Sequence, residues 1–377
     1  MRKVLVVLYG QIEFDGRVKR VLEVAKDFGA VTLVDVANDS GSGLLYGVDR
    51  NPIFLKRSWG QIQRYVRFAI HAIVVARRLR PQLIFAEDYY TPLLGRIIKA
   101  LTGAKLIYDA HELIIPEGKD AKQSSRDRFW YFCERAAVHE SDLVIAANPE
   151  RARLMKDHYG FSGPVTYMRN IPKSVTPTSE QLQNVLERYP ALVKRSEGEK
   201  IVLYQGDISI KRGLDLFVRC LDYLPSNVRL VLVGQGPDFE EIQGLGSSFR
   251  SSGRFSALGR IGQDLLPAVT QFADVGIVTY PRKGLNNIFC APNKIFEYVS
   301  AGVRVVATDQ VPLKEIVERF SIGVLIEAED KPSDVAQKVL RCLSLPVDMS
   351  QARAIVSSEF SSEAESERVR REVAALF

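Results

Sequence analysis

Two doubly wound α/β domains in tandem are predicted by three features of this 377-residue sequence. Short β-branched apolar runs alternate with amphipathic segments along the chain, the pattern of a parallel sheet covered by helices on both faces. The alternation breaks once, at a Ser/Thr/Pro-rich and then charged stretch after Asn170-Ile171-Pro172, and starts afresh beyond Gly198. The length suits two domains of roughly 100–200 residues each. The expected division is a Rossmann-like domain over 1–172, a connector over 173–198, a second Rossmann-like domain over 199–348, and a helical segment over 349–377 packing back on the first domain. Such sheets bind ligands beyond the carboxyl ends of their strands, so a cleft between the domains is the expected ligand site.

In the first domain the apolar runs predict strands over 3–8, 30–36, 82–86, 104–108, 143–146 and 165–168. The first run follows two basic residues, but polar residues 11–15 end it and no small-residue cleavage site follows, so it is a buried strand rather than a signal peptide. Helical periodicity predicts helices over 17–27, 61–80, 91–101, 126–140 and 149–159. The second series has strands over 201–205, 228–233, 255–258, 275–280, 303–307 and 323–326. Its helices are expected over 214–223, 238–242, 264–272, 294–300, 313–317 and 333–343.

Charge is uneven. Residues 1–175 hold 27 basic and 19 acidic side chains, and the remainder 24 and 26, so an anionic partner is expected at the first domain. Between Arg50 and Arg80 lie Lys56, Arg57, Arg64, Arg67, Arg77 and Arg78 with no acidic residue. Tyr65, Phe68, Ile70, Ile73, Val74 and Val75 share that stretch. It reads either as a sheet-covering helix with a basic outer side or as a surface helix drawn to an anionic membrane through 50–80. Cys133, Cys220, Cys290 and Cys342 form no CxxC or Cys/His cluster, which argues against a disulfide framework or structural zinc and for a reducing cytoplasm. No run approaches the ~20 apolar residues of a membrane-spanning helix. No Asp-x-Asp stands in a metal-binding loop, so no metal is expected.

The chemistry-bearing residues gather at strand ends. Gly10 follows the first strand, and Asp15-Gly16-Arg17 opens the next helix without a GxGxxG. These residues suit a substrate-contacting loop or a tight turn with Asp15 as N-cap. Glu87-Asp88 ends another strand; either carboxylate can orient an acceptor hydroxyl, and Asp88 can equally cap a helix. Tyr108-Asp109-Ala110-His111-Glu112 follows an apolar strand, and His111 is the one histidine of four in a strand-end loop. Asp15, Arg17, Glu87, Asp88 and Glu112 are the acceptor-side candidates.

In the second domain, Gln205-Gly206-Asp207 ends a strand, and Lys211-Arg212-Gly213 precedes a helix. Paired cations beside a helix start and glycines suit a pyrophosphate, although a solvated basic turn has the same composition. Pro292-Asn293 suits a helix start, with Lys294 in the first turn and Glu297 close to one turn on. The cation can reach a phosphate and the carboxylate a ribose; a helical Lys/Glu ion pair explains the spacing almost as well.

Taken together, the chain resembles the retaining nucleotide-sugar glycosyltransferases of the two-Rossmann-domain (GT-B) kind, particularly bacterial family 4. The resemblance rests on Asp15–Val18, Tyr108–Glu112, Asn170-Ile171-Pro172, Gln205-Gly206 with Arg212-Gly213, Gly234-Gln235-Gly236-Pro237 and Asn293–Gly302. It implies a donor site of Gly10, Gly206, Lys211, Arg212, Ile261, Asn293, Lys294 and Glu297, with His111, Arg212 and Lys294 as catalytic groups. Within it, Lys211 and Arg212 hold the pyrophosphate, His111 contacts the donor sugar, Glu297 holds the ribose, and main chain near Gly259-Arg260-Ile261 meets the base. Two positions depart: Phe289 stands where the family often has a first glutamate, and Asp207 where it often has an arginine. The resemblance further implies metal-free transfer from a UDP-, GDP- or dTDP-linked sugar, with no cofactor and no nucleic acid, to a glycan or lipid-linked acceptor. Cell-envelope or extracellular polysaccharide synthesis, on the inner face of the membrane, is the expected setting. A noncatalytic nucleotide-sugar-binding partner and a nucleotide-sugar epimerase of the same fold are the competing readings.

Overall fold

The computed structural model describes residues 1–37, 43–56, 58–117, 124–172, 176–193, 195–290, 293–346 and 348–377. Arg57 and Pro292 therefore lie outside the described residues. The chain forms two compact units, Met1–Asn170 with Ser362–Phe377, and Ile171–Ser361.

The first unit contains β1 (Lys3–Leu8), β2 (Ala30–Val34), β3 (Val36–Ala37), β4 (Gly43–Leu45), β5 (Val48–Arg50), β6 (Ile53–Phe54), β7 (Leu83–Glu87), β8 (Lys105–Ala110), β9 (Leu143–Ala146) and β10 (Val165–Tyr167). Among the described residues its main sheet runs β10-β9-β8-β7-β1-β2-β5-β4, parallel except for the β4–β5 pair. Alternation along β1 shows why it is central. Val4, Val6 and Leu8 face a core with Val18 and Leu22 of the helix Gly16–Lys26, while Leu5 and Val7 face one with Phe68 and Ala72 of the helix Gln61–Leu79. Register then aligns the ends, pairing Leu8 with Glu87 and Glu87 with Asp109.

The helix Gln61–Leu79 ends one residue earlier than its periodicity suggests. Arg80 takes φ 50°, and its N–H caps Ala76 O. The next residue is Pro81, which disfavours helical backbone at the position before it. The strand expected over 30–36 divides into β2 and the start of β3, and β4 to β6 were not anticipated, being only two or three residues long and so below the length at which alternation is readable. Arg50, buried against Asp35 at 2.6 Å, pins β5.

The second unit contains β11 (Lys200–Gln205), β12 (Val228–Val233), β13 (Phe255–Ala257), β14 (Val275–Val278), β15 (Arg304–Thr308) and β16 (Gly323–Ile326). Among the described residues they form one parallel sheet in the order β13-β12-β11-β14-β15-β16. Ile201 and Leu203 face one core layer, Val202 and Tyr204 the other.

Two expectations about the domain edges are corrected. The 173–198 stretch is not a spacer between domains. Thr178 and Gln181 form a capping box that starts the helix Ser179–Arg188. Val185 and Leu192 are fully buried in the second unit's core beside Ile201 and Ile295. The 349–377 segment does not pack whole on the first unit. Its helix Met349–Glu359 buries Ala352 and Val356 in the second unit, and Phe360 packs on Phe296 with ring centroids 5.4 Å apart. Only the helix Ser362–Ala374 belongs to the first unit, through Val369 and Val373.

Leu192→Ala should lower the unfolding free energy by about 2–5 kcal/mol, the usual cost of emptying a closed core site. A loosely attached connector would lose no more than about 0.5 kcal/mol; urea denaturation followed by far-ultraviolet circular dichroism separates the two.

Candidate functional site

At the carboxyl ends of β1, β7 and β8, a network forms around His111. Its Nε2 lies 3.1 Å from Glu87 Oε2 and 3.5 Å from Asp109 Oδ2, and its Nδ1 lies 3.9 Å from Asp15 Oδ2. Asp109 and His111 are two residues apart at a strand end and so share a face; register brings Glu87 alongside from the neighbouring strand. The His111 carbonyl accepts a hydrogen bond from Arg151 Nη1 at 2.8 Å, which fixes the main chain as well.

Arg17 is the main correction in this unit. It is 5% exposed and is spent inside the protein, not on an acceptor. Its Nε donates to Asp109 Oδ2 at 2.9 Å, and its Nη atoms donate to Asp109 and to the carbonyls of Met168 and Ala146. Burial alone would raise the Asp109 carboxyl, but the Arg17 guanidinium and His111 outweigh it and hold the group below the carboxylate range. Burial disfavours the His111 cation, yet bonds to Asp109 and Glu87 more than compensate, and its pKa is raised. Glu87, fully buried beside Asp109, is pushed up to about 8 by burial first and Asp109 second. Its Oε1 has no hydrogen-bond partner.

Asp15 takes the N-cap reading. Its Oδ1 accepts from the N–H groups of Arg17 and Val18, capping the helix Gly16–Lys26, while Oδ2 faces His111. Asp88 does not cap a helix. It takes φ 64°, accepts from its neighbour Tyr89 N at 2.8 Å, and is pushed up to about 6, chiefly by burial. Thr91 takes the N-cap position of the helix Pro92–Thr102 instead, its hydroxyl donating to Glu87 O. Glu112 is exposed, and Gly10 accepts from Val36 N at 2.9 Å, tying β1's end to β3. Ligand atoms of Glu87, Asp109 and His111 lie within 4.8 Å of one another, close enough for a metal ion. Arg17 already supplies the counter-charge at Asp109, so the trio reads as a charge network closed by a guanidinium.

In the second unit, two strand ends meet with almost no room between them. Gly206 follows β11 at φ 143°, and Gly234 follows β12 at φ 139°. A Cβ at Gly234 would lie 1.8 Å from Gly206 O, and one at Gly206 would lie 2.4 Å from Lys294 Cε. The absent side chain is what lets Lys294 lie along the strand end. Burial pushes the Lys294 ammonium down and Arg212 adds to it, a condition that an arriving anion relieves. Arg212 lies 5.1 Å over the Tyr280 ring, with Nη1 3.3 Å from Thr279 O and Nε 3.4 Å from Asp207 Oδ2. Lys211 is exposed on the short turn Ile210–Arg212.

Glu297 forms no ion pair with Lys294 among the described residues. Its Oε2 accepts from Gln205 Nε2 at 2.8 Å, and Gln205 Oε1 accepts from Thr270 Oγ1 at 3.0 Å. Gln205 is therefore the residue that aims Glu297, and a lone amide ending an apolar strand was the available signal. Asn293 flanks the helix Lys294–Ser300, and its buried Oδ1 has no partner. The Ile261 side chain belongs to the core beside Leu265, which leaves its main chain as what it can offer a base.

Residues 199–345 match the family described as Glycosyl transferases group 1, and residues 39–170 match that described as Glycosyl transferase 4-like domain. The chain belongs to the group 1 glycosyltransferases of family 4. It is a retaining glycosyltransferase of GT-B fold that uses a nucleotide-sugar donor. The first match contains Gly206, Arg212, Lys294 and Glu297; the second contains Glu87, Asp109 and His111. Among solved structures, Anabaena HepE in complex with UDP and glucose is similar, with TM-score 0.74, 16% identity and 100% of each chain covered. Sucrose-phosphate synthase from Thermosynechococcus elongatus gives TM-score 0.71 at 18% identity, covering 100% of this chain and 99% of that one. WaaG, a glycosyltransferase involved in lipopolysaccharide biosynthesis, gives 0.68 at 13%, covering 97% and 98%. No curated protein sequence matches.

The glycosyltransferase carries its two departures in the open. Asp207 sets an acid beside the Arg212 cation, and Phe289 is half-buried after the helix Leu285–Ile288.

The raised Glu87 predicts a pH dependence. Between its ordinary value of 4.5 and about 8, the folded chain keeps a proton that the unfolded chain has lost, so stability falls as pH rises through that window. His111, also raised, adds a fall above its ordinary value of 6.5. Glu87→Gln should flatten the decline in urea midpoint between about pH 5 and 8. A slope equal to the parent's would assign the proton elsewhere.

Proposed function

We propose that this glycosyltransferase works at an anionic membrane surface, transferring a sugar without a metal ion to a glycan or lipid-linked acceptor of cell-envelope or extracellular polysaccharide synthesis. The observation that carries this reading is the outward face of the helix Gln61–Leu79. Its inner face buries Phe68, Ala72, Val75 and Ala76, as a sheet-covering helix must. Its outer face is also apolar, with Ile62 83%, Val66 48%, Ile70 58% and Val74 39% exposed at successive i+4 positions. These residues line an open groove with Phe54 and Trp59. Arg67 lies 4.2 Å over the Trp59 ring, and Arg77 and Arg78 are exposed in the last turn. An apolar stripe rimmed by cations matches an anionic bilayer interface. Among the described residues no helix is long and apolar enough to cross a membrane.

On the donor side, Arg212 and Lys294, with exposed Lys211, receive the pyrophosphate; Glu297, aimed by Gln205, takes the ribose hydroxyls, and Asn293 offers its free oxygen to a donor hydroxyl. As the glycosidic bond to phosphate breaks, negative charge grows on the β-phosphate, and fixed cations stabilise it without reorganising. The acceptor oxygen bonds to the anomeric carbon on the face the phosphate leaves, and its proton passes to the departing phosphate. His111, whose cation Asp109 favours, donates to a hydroxyl oxygen of the donor sugar. Asp15, Asp88 and Glu112 are the acceptor-side carboxylates. HepE was solved with UDP, which puts UDP-sugars first in a donor panel.

The deciding assay measures acceptor-dependent release of nucleoside diphosphate from UDP-, GDP- and dTDP-sugars. Epimerised donor in the absence of acceptor would overturn transfer. Arg212→Ala and Lys294→Ala should each weaken binding of the released nucleoside diphosphate roughly tenfold, as loss of a charge-assisted contact does; unchanged calorimetric affinity in both sinks the phosphate site. Val66→Asp with Ile70→Asp should abolish co-sedimentation with phosphatidylglycerol vesicles, and retained sedimentation would remove the membrane from this reading.

A further inference from the structure

We infer that the first unit takes its acceptor by a phosphate group, gripped between Arg64 and Arg126, with the carbon skeleton next to that phosphate lying on a tyrosine and tryptophan platform. The inference rests on the transferase reading above, and it specifies what the acceptor must carry. The platform is built from four separate segments. Tyr9 follows β1, Tyr89 and Tyr90 follow β7, Tyr65 comes from the helix Gln61–Leu79 and Trp130 from the helix Ser125–Val138. Ring centroids lie 5.4 Å apart for Tyr9 and Tyr65, 5.5 Å for Tyr9 and Tyr90, and 5.0 Å for Trp130 from both Tyr65 and Tyr90. The four tyrosines are half-buried and Phe129, packed on Trp130, is 52% exposed, while Trp130 is 8% exposed, so the tyrosines form the reachable surface and Trp130 its floor. It begins two residues beyond Glu87, the partner of His111, at the edge where open α/β sheets take ligands.

The polar groups on it are set for an anion. Arg126 Nη2 donates to the Tyr90 hydroxyl at 2.7 Å, and the Tyr89 hydroxyl donates to the same oxygen at 2.6 Å. A hydroxyl accepts two bonds and donates one, so the Tyr90 proton is left for a further acceptor. Arg64 precedes Tyr65, and its Nε is shut off from solvent without a partner. Among the described residues neither Arg64 nor Arg126 forms an ion pair with an acid, and the charges of both bear on Tyr9. Two guanidinium groups without a carboxylate partner among the described residues, and a phenolic proton, match phosphate oxygens, while the rings match the apolar face of a sugar or the first carbons of a lipid. Arg64 and Tyr65 also share their helix with the exposed stripe of Ile62, Val66, Ile70 and Val74, so a phosphate carried at a bilayer interface meets the same element.

Trp130 reports on the platform directly once Trp59 is replaced, since the chain has two tryptophans. In a Trp59→Phe background, Trp130 emission is titrated with farnesyl-diphosphate-linked glucose, glucose 1-phosphate and octyl glucoside, with no donor present. Both phosphorylated probes should shift the emission and lose roughly tenfold in affinity on Arg64→Gln or Arg126→Gln, whereas octyl glucoside should not respond to either change. Tighter binding of the farnesyl probe supports a phosphate on a lipid carrier, and equal binding supports a phosphosugar. Tyr90→Phe removes one donated proton and should weaken both phosphorylated probes by a smaller factor; it serves if an arginine variant fails to fold. Unchanged affinity for both phosphorylated probes in folded variants, or tightest binding of the uncharged glucoside, overturns the inference. Acceptor-dependent release of nucleoside diphosphate is measured separately, so failure of the phosphate grip and failure of transfer are told apart.

Discussion

A buried guanidinium bound to a buried carboxylate organises the strand-end edge of the first unit. Arg17 enters from the first turn of a helix and meets Asp109 at the end of β8, while its remaining donors reach carbonyls at Ala146 and Met168. Two opposite charges taken out of water are tolerable only when they bond each other and further partners, and here Arg17 bonds Asp109 and two carbonyls. The consequence falls on His111. Asp109 stays ionised, the imidazole keeps its proton, and Glu87 is left as the carboxyl in the group that resists ionisation. One helix start thus sets the charge state of a histidine ninety-four positions away in sequence.

The second unit solves the opposite problem, holding cations without a protein anion to neutralise them fully. Its means is the removal of side chains. Gly206 and Gly234 let two strand ends close on each other and leave a path for Lys294 beside Arg212. Burial disfavours the half-buried ammonium, a cost that an anion beside it would lift. Gln205 and Thr270 meanwhile take up Glu297, so the carboxylate forms no ion pair with the lysine three residues before it among the described residues.

Long, periodic elements were legible before any coordinates. The helices at 149–159 and 294–300 and the strands at 228–233 and 323–326 have the bounds their patterns imply. Shorter or mixed segments were not. Strands β4 to β6 are held by neighbours and by Arg50 with Asp35, which no local pattern contains. The 173–198 stretch looked like a linker because a Ser/Thr/Pro-rich run leads into a charged one, yet Val185 and Leu192 are buried in the second unit's core. Arg17 looked like a ligand contact because it follows a glycine at a helix start, and only the approach of β8 turned it inward.

The sequence by itself determined the class of the protein: alternating periodicities specify parallel sheets, and strand-end residues specify where ligands go, because both follow from local geometry and strand direction. It also determined the site candidates His111, Arg212, Lys294 and Glu297 by position. Which partners they have, and therefore which charges they carry, was decided only by tertiary structure. A pKa depends on burial and on neighbours distant in the chain, such as Asp109 and Glu87 for His111 or Gln205 for Glu297. The same holds for the helix Gln61–Leu79, whose basic charge was plain in the sequence, while its second, outward apolar face emerged only once packing had used up the first.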